Sequence, residues 1–590
     1  MASPPSFSPR KLTELYVQRA FHELSAQFLE VIRFFEEASY QALDEPSQRA
    51  IDAFAVHFVH LFSQSDFQPP PQTAFEFIRY NQTISNLVWL SPLKTTDAYL
   101  ELIRYQRDNL IKVLTLYSAR NRVRFDRSQL FAANPEAASV WYSCFGGNFH
   151  GGLVDQNVCD HLAEHYAFDP VVFHSSDNIA DVYYGSSYVG GTCDRPVKEA
   201  INRFFQKSQA SCVIRNRPNP KKIAVMSCLW WTGHSSYRIH AAYVESLKDD
   251  YELTLFHMPL VGRPPDTRFF KEVHELKVKG GALDMAPLAD NEFSLVYFPD
   301  IGMTKFSICL ANLRLAPIQV SGMGHSVSTF GADIDYCMSG ADVETPEHPE
   351  RFFSERLILL PGCGSINEIP AYTPTGKEKA IPEFVLNCPW SGQKINARLI
   401  GLLREVVRRS EKPLCYRIFV GTSLLRHAAF LPFVREITKQ LAPAKVEVLP
   451  KLHYGAYMAL MEVGELTIDA FHYGGCNTMT DSLFLGKPMV SLEGERWYNR
   501  IGPQMLRMVG EDGLIATTDR EYVDLIVRLI HDDALREASA KRLSKVDLNA
   551  TIFNRSDAKY FRKAIDYLIA NHERLSQEKE QTPLRIERDE

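Results

Sequence analysis

The spacing of apolar residues divides the chain into a helical first part and an α/β remainder. From about residue 10 to 210, segments such as KLTELYVQRAFHELSAQFLEVIRFFEEA and DAYLELIRYQRDNLIKVLTLYSARNRV carry apolar residues three and four positions apart. That spacing is the period of an amphipathic helix. We predict an all-α N-terminal domain over residues 1–214, and the pattern leaves open whether it is a scaffold or binds a partner protein.

Short apolar runs alternate with helical segments after RNRPNPKK, a Pro- and Lys-rich stretch at residues 215–222 that we interpret as a linker. The first series is IAVMSCLW, YELTLFHM, FSLVYFPD, APIQVSGMG, IDYCMSG and RLILLPG. A second series follows PAYTPTGKEKAIPE and consists of FVLNCP, YRIFVG, VEVLPK, LTIDAF and PMVSLEG. Continuous apolar strands that alternate with helices indicate parallel sheets covered on both faces.

The fold class predicted from these two series is α/β, with two doubly wound, Rossmann-like domains behind the helical domain. We place the first at residues 222–375 and the second at 382–548. Residues 549–590 are predicted to form a helix and a charged tail, SQEKEQTPLRIERDE, which we expect to be disordered. Ligands of such sheets bind at the carboxyl ends of the strands.

Composition excludes several functional classes. The chain has 590 residues, a net charge of −6 and 45% hydrophobic residues, which is typical of a soluble globular protein and argues against a dedicated nucleic-acid binder. The N-terminal segment MASPPSFSPRKL lacks the apolar core of a signal peptide, and no apolar run of about 18 residues predicts a membrane span. The 11 cysteines form no CxxC pair. We therefore expect reduced thiols, no structural zinc and a cytoplasmic location.

The strongest chemical signal is DAFHYGGCNTMTDSLFLGKPMVSLEG at residues 469–494. A strand runs into a turn with Gly474 and Gly475, which permit close approach of a ligand to the backbone. Asn477 and Thr478 lie where a helix begins, and such an end offers N–H groups and a positive dipole to a phosphate. Taken alone, either residue is better explained as a helix cap, but the whole run favours a nucleotide site.

This stretch resembles the UDP-binding loop of O-GlcNAc transferases and of the bacterial cytoplasmic N-glycosyltransferases that modify adhesins. The bacterial loop has the form Phe-x-aromatic-Gly-x-x-Asn-x-x-x-Asp, and Phe471, Tyr473, Gly474, Asn477 and Asp481 match it without a gap. The resemblance implies a GT-B fold, made of two Rossmann-like domains, with UDP held by the second one. It also implies that Asn477, Thr478 and Asp481 contact the diphosphate and ribose of UDP.

Two segments of the first Rossmann-like domain resemble the same family in the same order. In GHSSYRIHAAYVESLKDDYELTLFHM, residues from His234 through Tyr237 to Arg238 enter the first helix. In APIQVSGMGHSVSTFGADIDYCMSG, a strand ends before Gly324 and His325. The resemblance places this domain on the acceptor side, with Tyr237, Arg238 and Gly324 lining it.

A third segment, VLNCPWSGQKINARLIGLLREVV, places Lys394 where the family has a lysine that neutralises the phosphates of the sugar nucleotide. Spacing alone favours a solvated helix lysine, and the resemblance reverses that interpretation. Metal-dependent transferases commonly hold the ion with Asp-x-Asp, but Asp333 and Asp335 are expected to begin a strand. A lysine and a helix N-terminus can stabilise a leaving diphosphate without metal. The resemblance implies this metal-free form of catalysis, so we predict no metal and no cofactor besides the UDP-sugar donor.

Three more residues are candidates for the donor site. Lys451 and His453 follow the strand in VEVLPKLHYGAYM, where Pro450-Lys451 has the form found in O-GlcNAc transferases. The resemblance suggests contact of Lys451 with the uracil edge or the phosphates. Arg500 in WYNRIGPQMLRMVG begins a predicted helix and is placed to reach the donor or acceptor, although packing by its aromatic neighbours is an equal explanation.

A base for acceptor activation is sought among histidines, which titrate near neutral pH. His325 is the first candidate and His234 the second, with His240 also considered; either of the first two can instead position the donor sugar. If the acceptor is an asparagine amide, no ordinary base suffices and positioning dominates.

The resemblance implies an inverting protein glycosyltransferase that moves glucose from UDP-glucose to Asn of Asn-x-Ser/Thr sequons in an adhesin-like protein. Two alternatives stay open: O-linked transfer of GlcNAc or glucose to Ser or Thr, and a catalytically silent GT-B scaffold that binds a partner. Fold alone does not decide between them. Retention of Lys394, Asn477 and Asp481 counts against the silent scaffold.

Overall fold

A computed structural model describes most of the chain. The described residues are 7–40, 43–146, 154–175, 177–190, 193–208, 214–258, 262–279, 282–422, 427–578 and 581–589. They form two compact units. The first unit comprises Met1–Ala200, Trp390–Arg408 and Cys415–Leu452, and the second comprises Ile201–Pro389, Arg409–Leu414 and His453–Glu590.

The helices of the described residues are numbered in chain order. They are α1 (Pro9–Val17), α2 (Phe21–Glu37), α3 (Glu45–Phe62), α4 (Pro71–Arg79), α5 (Asn81–Leu90), α6 (Asp97–Ile103), α7 (Leu110–Leu116), α8 (Arg127–Ala133), α9 (Pro135–Phe145), α10 (Gln156–Ala167), α11 (Ile179–Gly185), α12 (Asp194–Ser208), α13 (Ser235–Glu245), α14 (Lys305–Ala311), α15 (Ala397–Arg409), α16 (Leu431–Gln440), α17 (Tyr454–Glu462), α18 (Asn477–Phe484), α19 (Trp497–Met508), α20 (Asp519–His531), α21 (Asp533–Leu543) and α22 (Ala558–Gln577).

The strands are numbered in the same way. They are β1 (Asn216–Met226), β2 (Glu252–His257), β3 (Glu272–Glu275), β4 (Val278–Lys279), β5 (Ala282–Leu283), β6 (Asn291–Phe298), β7 (Ile318–Ser321), β8 (Tyr336–Gly340), β9 (Arg356–Leu360), β10 (Phe384–Cys388), β11 (Leu414–Phe419), β12 (Lys445–Leu449), β13 (Leu466–Ile468), β14 (Met489–Leu492), β15 (Ile515–Ala516) and β16 (Leu584–Arg585).

The helical part of the first unit is held by aromatic packing. Phe28 meets Phe58 edge to face with ring centroids 5.0 Å apart, and Phe62 meets Phe77 at the same distance. Such pairs add about 0.5–1.5 kcal/mol to the area that they bury. The helix starts are fixed locally: the side chain of Asp44 accepts the N–H of Ser47 at the start of α3, as expected of an N-cap.

Two buried histidines lie in a second aromatic group of this unit. His161 Nε2 is 2.8 Å from the hydroxyl of Tyr117, and His165 Nε2 is 2.9 Å from the carbonyl oxygen of Tyr142. Burial, reinforced by nearby arginines, lowers the pKa of His161 to about 3 and lowers the pKa of His165 well below its ordinary value. Both rings are therefore neutral in the folded state at neutral pH.

The rest of the first unit is α/β. Strands β11 and β12 pair in parallel, with Cys415 opposite Lys445 and Phe419 opposite Leu449. Helix α16 packs on β12, and it also packs on α5 of the helical part. This unit therefore joins the N-terminal helices to part of the second predicted α/β series.

The first sheet lies entirely in the second unit. Its eight strands follow the order β16-β9-β8-β7-β6-β1-β2-β3, and all of the described pairings are parallel. One face packs on α13 and α22, where the rings of Tyr243 and Phe561 stack with centroids 4.8 Å apart. The other face packs on α14 through Leu310 and Ala311. The order in which successive strands are added reverses between β1 and β6, with β2 and β3 on one side and β7 to β9 on the other. Ligands of such sheets bind at a reversal of this kind.

The second unit also holds the strands β10, β13, β14 and β15 of the later series. They pair in parallel in this order, with Leu386 opposite Leu466 and Thr467 opposite Met489. Helices α18, α19 and α20 pack against β14. The architecture is a helical N-terminal region followed by two parallel-sheet α/β domains, and the predicted fold class is confirmed.

Two local expectations were wrong. Residues 215–222, predicted as a linker, lie mostly in β1, because the side chain of Asn216 donates to Asn291 and to the carbonyl oxygen of Phe293 on β6. The charged tail, predicted to be disordered, forms the edge strand β16. Arg356 on β9 donates to the carbonyl oxygen of Thr582 and pairs with Glu578 at 2.7 Å.

Two further properties of the described residues bear on the sequence analysis. Their helices include none that is long and apolar enough to cross a membrane. The described cysteines, ten in number, are all free thiols.

Acid is expected to destabilise the first unit through His161 and His165. The unfolded rings take up protons below a pKa of about 6.5, whereas the buried rings do not, so stability falls as pH drops below that value. Each ring contributes up to about 1.4 kcal/mol per pH unit. Thermal midpoints measured by circular dichroism at pH 7.5 and 5.5 should differ in this direction.

The matched control uses His348, whose side chain is 82% exposed. His161→Asn should reduce the difference between the two midpoints, and His348→Asn should leave it as in the wild type. A wild-type midpoint that is equal at both pH values contradicts the prediction.

Candidate active site

One side of the candidate site is the first turn of α13, after the loop that follows β1. His234 is its N-cap, and its Nδ1 accepts the N–H of Ser236 at 3.2 Å. Because this nitrogen accepts, the neutral ring carries its proton on Nε2. The ring also stands edge-on to Trp231, with centroids 5.4 Å apart. The sequence thus places His234 in a fixed orientation at a helix start.

The turn after β7 packs directly on this helix start. A Cβ on Gly324 would lie 2.0 Å from the carbonyl oxygen of Pro299 and 2.8 Å from Oγ of Ser236. A Cβ on Gly322 would lie 2.3 Å from the hydroxyl of Tyr297. Only glycine fits at these points, so the close approach of β7 to α13 depends on them. His325, buried at 5% exposure, follows Gly324 in the same turn.

Two residues of α13 lie in the core of the second unit. His240 is buried, its Nδ1 is 2.9 Å from the hydroxyl of Tyr297, and burial lowers its pKa to about 3. The hydroxyl of Tyr237 donates to Asp266 at 2.5 Å and accepts from Arg268. Tyr237, predicted on the acceptor side, is therefore buried in the core, and its hydroxyl is hydrogen-bonded to both members of the Asp266–Arg268 ion pair.

A buried aspartate organises the glycine turn that follows β13. Asp469 accepts the N–H of Gly475 at 2.9 Å through Oδ1 and the hydroxyl of Ser491 at 2.8 Å through Oδ2. A Cβ on Gly474 would lie 3.0 Å from Oδ2, and one on Gly502 would lie 2.7 Å from it. The two glycines therefore make room for the carboxylate, and the carboxylate fixes the turn.

Helix α18 begins directly behind this turn, at Asn477. The side chain of Asn477 donates to the carbonyl oxygen of Ser235 at 3.1 Å and accepts from Asn367 at 3.1 Å. Oγ1 of Thr478 is buried, and no described residue hydrogen-bonds to it. The first N–H groups of a helix also have no acceptor within the helix. The start of α18 thus presents several donors and one unpartnered hydroxyl.

Asp481, one turn into α18, carries a paired charge. Its Oδ1 accepts from Arg238 at 2.7 Å and from the hydroxyl of Tyr454 at 2.7 Å, and its side chain is 2% exposed. Burial lowers the pKa of Arg238, but the Asp481 carboxylate more than offsets this, and the net direction is upward. The guanidinium also lies 5.3 Å from the ring centre of Tyr454. The structure thus brings the predicted residues Arg238 and Asp481 together as a buried ion pair.

Arg500 lies in α19, which begins three residues earlier, at Trp497. Its Nη1 is 3.4 Å from the carboxylate of Glu493 and 3.4 Å from the carbonyl oxygen of Gly494, and its buried Nε has no partner among the described residues. The prediction that Arg500 begins a helix was wrong by one turn, because Arg496 is the N-cap. No observation on the described residues links Arg500 to a ligand.

The predicted lysines belong to the first unit. Lys394 ends a short 3-10 helix, Gly392–Lys394, and is half-buried. Lys451 is exposed, and its N–H donates to the carbonyl oxygen of Thr422 at 2.7 Å. His453, in the second unit, is exposed and is the N-cap of α17. Their roles stay predictions.

Several residues that shape the site were not among the predicted ones. Asp469 was inside the quoted motif, and its position after a buried strand and before two glycines was the available signal. Asp300, after β6, accepts from Ser227 at 2.8 Å and from the N–H of Leu229 at 2.9 Å, and burial raises its pKa to about 7. Nothing in its sequence context indicated that role. Asp333 and Asp335 are both bound by Arg314.

Comparisons with known proteins support the predicted resemblance. UDP-glucose:protein N-beta-glucosyltransferase of Actinobacillus pleuropneumoniae serotype 5b (strain L20) is 24% identical over 72% of this chain and 71% of that protein. "Probable UDP-N-acetylglucosamine--peptide N-acetylglucosaminyltransferase SPINDLY" of Solanum lycopersicum is 27% identical over 37% of this chain and 24% of that protein. No protein-family model matches the chain.

Among solved structures, a mutant O-GlcNAc transferase of Thermobaculum terrenum matches 95% of this chain and 99% of that one, with a TM-score of 0.54 and 16% identity. At this identity the likeness shows the fold. The chain is therefore similar in sequence to protein glycosyltransferases that are named for UDP-sugars, and it shares their two-domain α/β fold behind a helical region.

Proposed function

We propose that this chain is an inverting, metal-independent protein glycosyltransferase of the cytoplasm. In this proposal it transfers glucose from UDP-glucose to Asn of Asn-x-Ser/Thr sequons in an adhesin-like protein. The donor, the acceptor and the location are carried over from the relatives and the motif resemblance. The observation that carries the nucleotide part is the turn that Asp469 holds in front of α18.

The start of α18 suits a diphosphate in charge and in geometry. The turn before it is glycine, so a ligand can approach the backbone closely, and the helix dipole favours an anion there. The hydroxyl of Thr478 is buried, and no described residue hydrogen-bonds to it. A carboxylate one turn away would repel the ligand, but Arg238 neutralises Asp481. The proposal therefore assigns the diphosphate to the first turn of α18.

Two adjustments to the predicted contacts follow. Oδ1 of Asp481 accepts from both Arg238 and Tyr454, whereas Oδ2 has one long contact, to Arg238 at 3.4 Å. Its proposed contribution is therefore to fix Arg238 and the helix as well as to meet the ribose. The side chain of Asn477 donates one N–H to Ser235, which leaves its second N–H for a nucleotide contact. Lys394 is proposed to supply the cation that stabilises the leaving UDP, a contribution worth about 100- to 1,000-fold in rate by analogy with single oxyanion donors.

O-linked transfer to Ser or Thr is the second candidate. It is favoured by Pro450-Lys451, which has the form found in O-GlcNAc transferases. The SPINDLY relative, similar over 37% of the chain, is named for transfer from UDP-N-acetylglucosamine to a peptide and supports a GlcNAc donor. Mass spectrometry separates the two candidates. Peptides with Asn-x-Thr, with Gln-x-Thr and with Ser/Thr alone are incubated with UDP-glucose or UDP-GlcNAc. A hexose on Asn of the first peptide only supports the proposal, and modification of the other peptides supports the second candidate.

UDP should raise the thermal midpoint of the protein in proportion to the logarithm of its concentration, reaching about 2.7 kcal/mol of stabilisation at 100 times Kd.

Asp469→Ala leaves the N–H of Gly475 without its acceptor and should weaken UDP binding about tenfold, the cost of roughly one hydrogen bond to a charged group. Isothermal titration below the midpoint of each variant measures this effect. Ser491→Ala removes a single hydrogen bond to the other carboxylate oxygen and should have the smaller effect; equal affinities for all three proteins contradict the assignment.

Lys394→Ala should lower the transfer rate about 100-fold or more, whereas EDTA should leave the wild-type rate unchanged. The control is Lys439→Ala, an exposed lysine of α16 in the same unit. The rate of sugar transfer to the peptide is measured for each. Inhibition by EDTA that Mg²⁺ or Mn²⁺ restores would refute metal independence.

A further inference from the structure

The turn that carries His325 is closed by a buried carboxylate that sequence analysis did not indicate. Glu355, directly before β9, is 3% exposed. It accepts from the hydroxyl of Ser328 at 2.7 Å, from the N–H of Thr329 at 2.7 Å and from the hydroxyl of Thr329. The N–H of Ser354 adds a fourth donor at 3.2 Å. Every one of these donors is neutral.

Burying the carboxylate of Glu355 away from water costs free energy, so the groups that surround it show what the fold gains from it. A buried carboxylate is ordinarily paired with a cation, and Glu355 forms no ion pair within the described residues. Three of its hydrogen bonds come from Ser328 and Thr329, in the turn that follows His325, and the others come from Ser354, the residue before it. The fold therefore uses a desolvated charge to hold this turn against the start of β9.

The same turn contains a strained residue. Phe330 has φ of +48°, a left-handed conformation that bulky residues seldom adopt. It is fixed from both sides, because its N–H donates to Oγ of Ser328 at 3.1 Å and its carbonyl oxygen accepts from Asn202 at 2.9 Å. Backbone strain of this kind persists only where the surroundings over-determine it, and it is concentrated at functional sites.

The opposite end of the turn is fixed by packing. Gly324 lies against the carbonyl oxygen of Pro299 and the side chain of Ser236 at the start of α13. His325 thus stands between a glycine that is locked on the α13 helix start and a Ser-Val-Ser-Thr segment that is locked on Glu355. Neither end can shift without a steric clash or an unsatisfied buried anion.

We propose that Glu355 is a positioning residue for sugar transfer, which holds the turn of His325 in the one conformation that serves the reaction. This inference rests on the proposed function, because it assigns the turn to the transfer step. Glu355 contacts neither donor nor acceptor in this account, and it acts through Ser328 and Thr329. Loss of the clamp should therefore reduce turnover and leave nucleotide binding intact.

The test compares Glu355→Gln with Glu462→Gln. Glu462 is a matched control, since it too is held by neutral donors, among them the hydroxyl of Tyr372 at 2.5 Å and the N–H of Gly376 at 2.6 Å. Glutamine keeps the shape but turns a donor toward donors at both sites. For each variant, kcat, KM for UDP-glucose, Kd for UDP and the thermal midpoint are measured below the onset of unfolding.

Glu355→Gln should lower kcat about 100-fold, the scale of a misplacement near 1 Å, and keep the Kd for UDP within twofold. Glu462→Gln should lower the thermal midpoint and keep kcat within threefold. Equal losses of kcat in the two variants, or a kcat within threefold of wild type for Glu355→Gln, overturn the inference.

If Glu355→Gln does not fold, two smaller substitutions at Thr329 test the same inference. Thr329→Val removes one hydroxyl donor to Glu355, whereas Thr329→Ser keeps it. Thr329→Val should lower kcat about tenfold at unchanged UDP affinity, the cost of one charge-assisted hydrogen bond, and Thr329→Ser should retain the wild-type rate. Equal rates in the two overturn the inference. A wild-type protein that neither binds UDP nor transfers sugar contradicts the proposed function instead.

Discussion

The carboxylate of Asp469 is the group on which the candidate nucleotide site depends. It lies at the end of β13, is 1% exposed, and holds the N–H of Gly475 and the hydroxyl of Ser491. A buried anion must keep its donors, so the turn cannot relax into another shape without a large loss of stability. A Cβ on Gly502 would lie 2.7 Å from this carboxylate, and one on Gly474 would lie 2.8 Å from the carbonyl oxygen of Tyr498 and 3.0 Å from the carboxylate, so both positions need glycine. The position of α18 follows from that arrangement.

Charge balance is the second constraint on the site. Asp481 lies one turn from the end of α18 that would receive a diphosphate, and its pairing with Arg238 of α13 removes the repulsion. The same pairing ties α13, which follows β1 of the first sheet, to α18, which follows β13 of the later series. Around His325, a different carboxylate, Glu355, fixes the main chain by neutral donors alone. Buried carboxylates therefore shape both halves of the candidate site: Glu355 directly before β9 and Asp469 directly after β13.

Contiguous patterns in the sequence were sufficient for the fold class and for the location of the glycine turn. Continuous apolar strands predicted both parallel sheets, and the strand, the glycine pair and Asn477 follow one another along the chain. Contacts between distant residues were not predictable. The Pro-rich start of β1 depends on Asn291, 75 residues away, and the tail strand depends on Arg356. The partners of Asp469 and Glu355 are likewise assembled only by the fold, and Tyr237 matched the motif while its hydroxyl is bound to Asp266.

Hydrogen–deuterium exchange with and without UDP tests the central claim most directly, because it locates the nucleotide in the folded chain. A diphosphate at the start of α18 should slow exchange at the backbone N–H groups of residues 474–482, with a smaller effect at the start of α13, which Asn477 and Asp481 contact. If saturating UDP slows exchange elsewhere but leaves the exchange of residues 474–482 unchanged, the assignment of the diphosphate to α18 is contradicted.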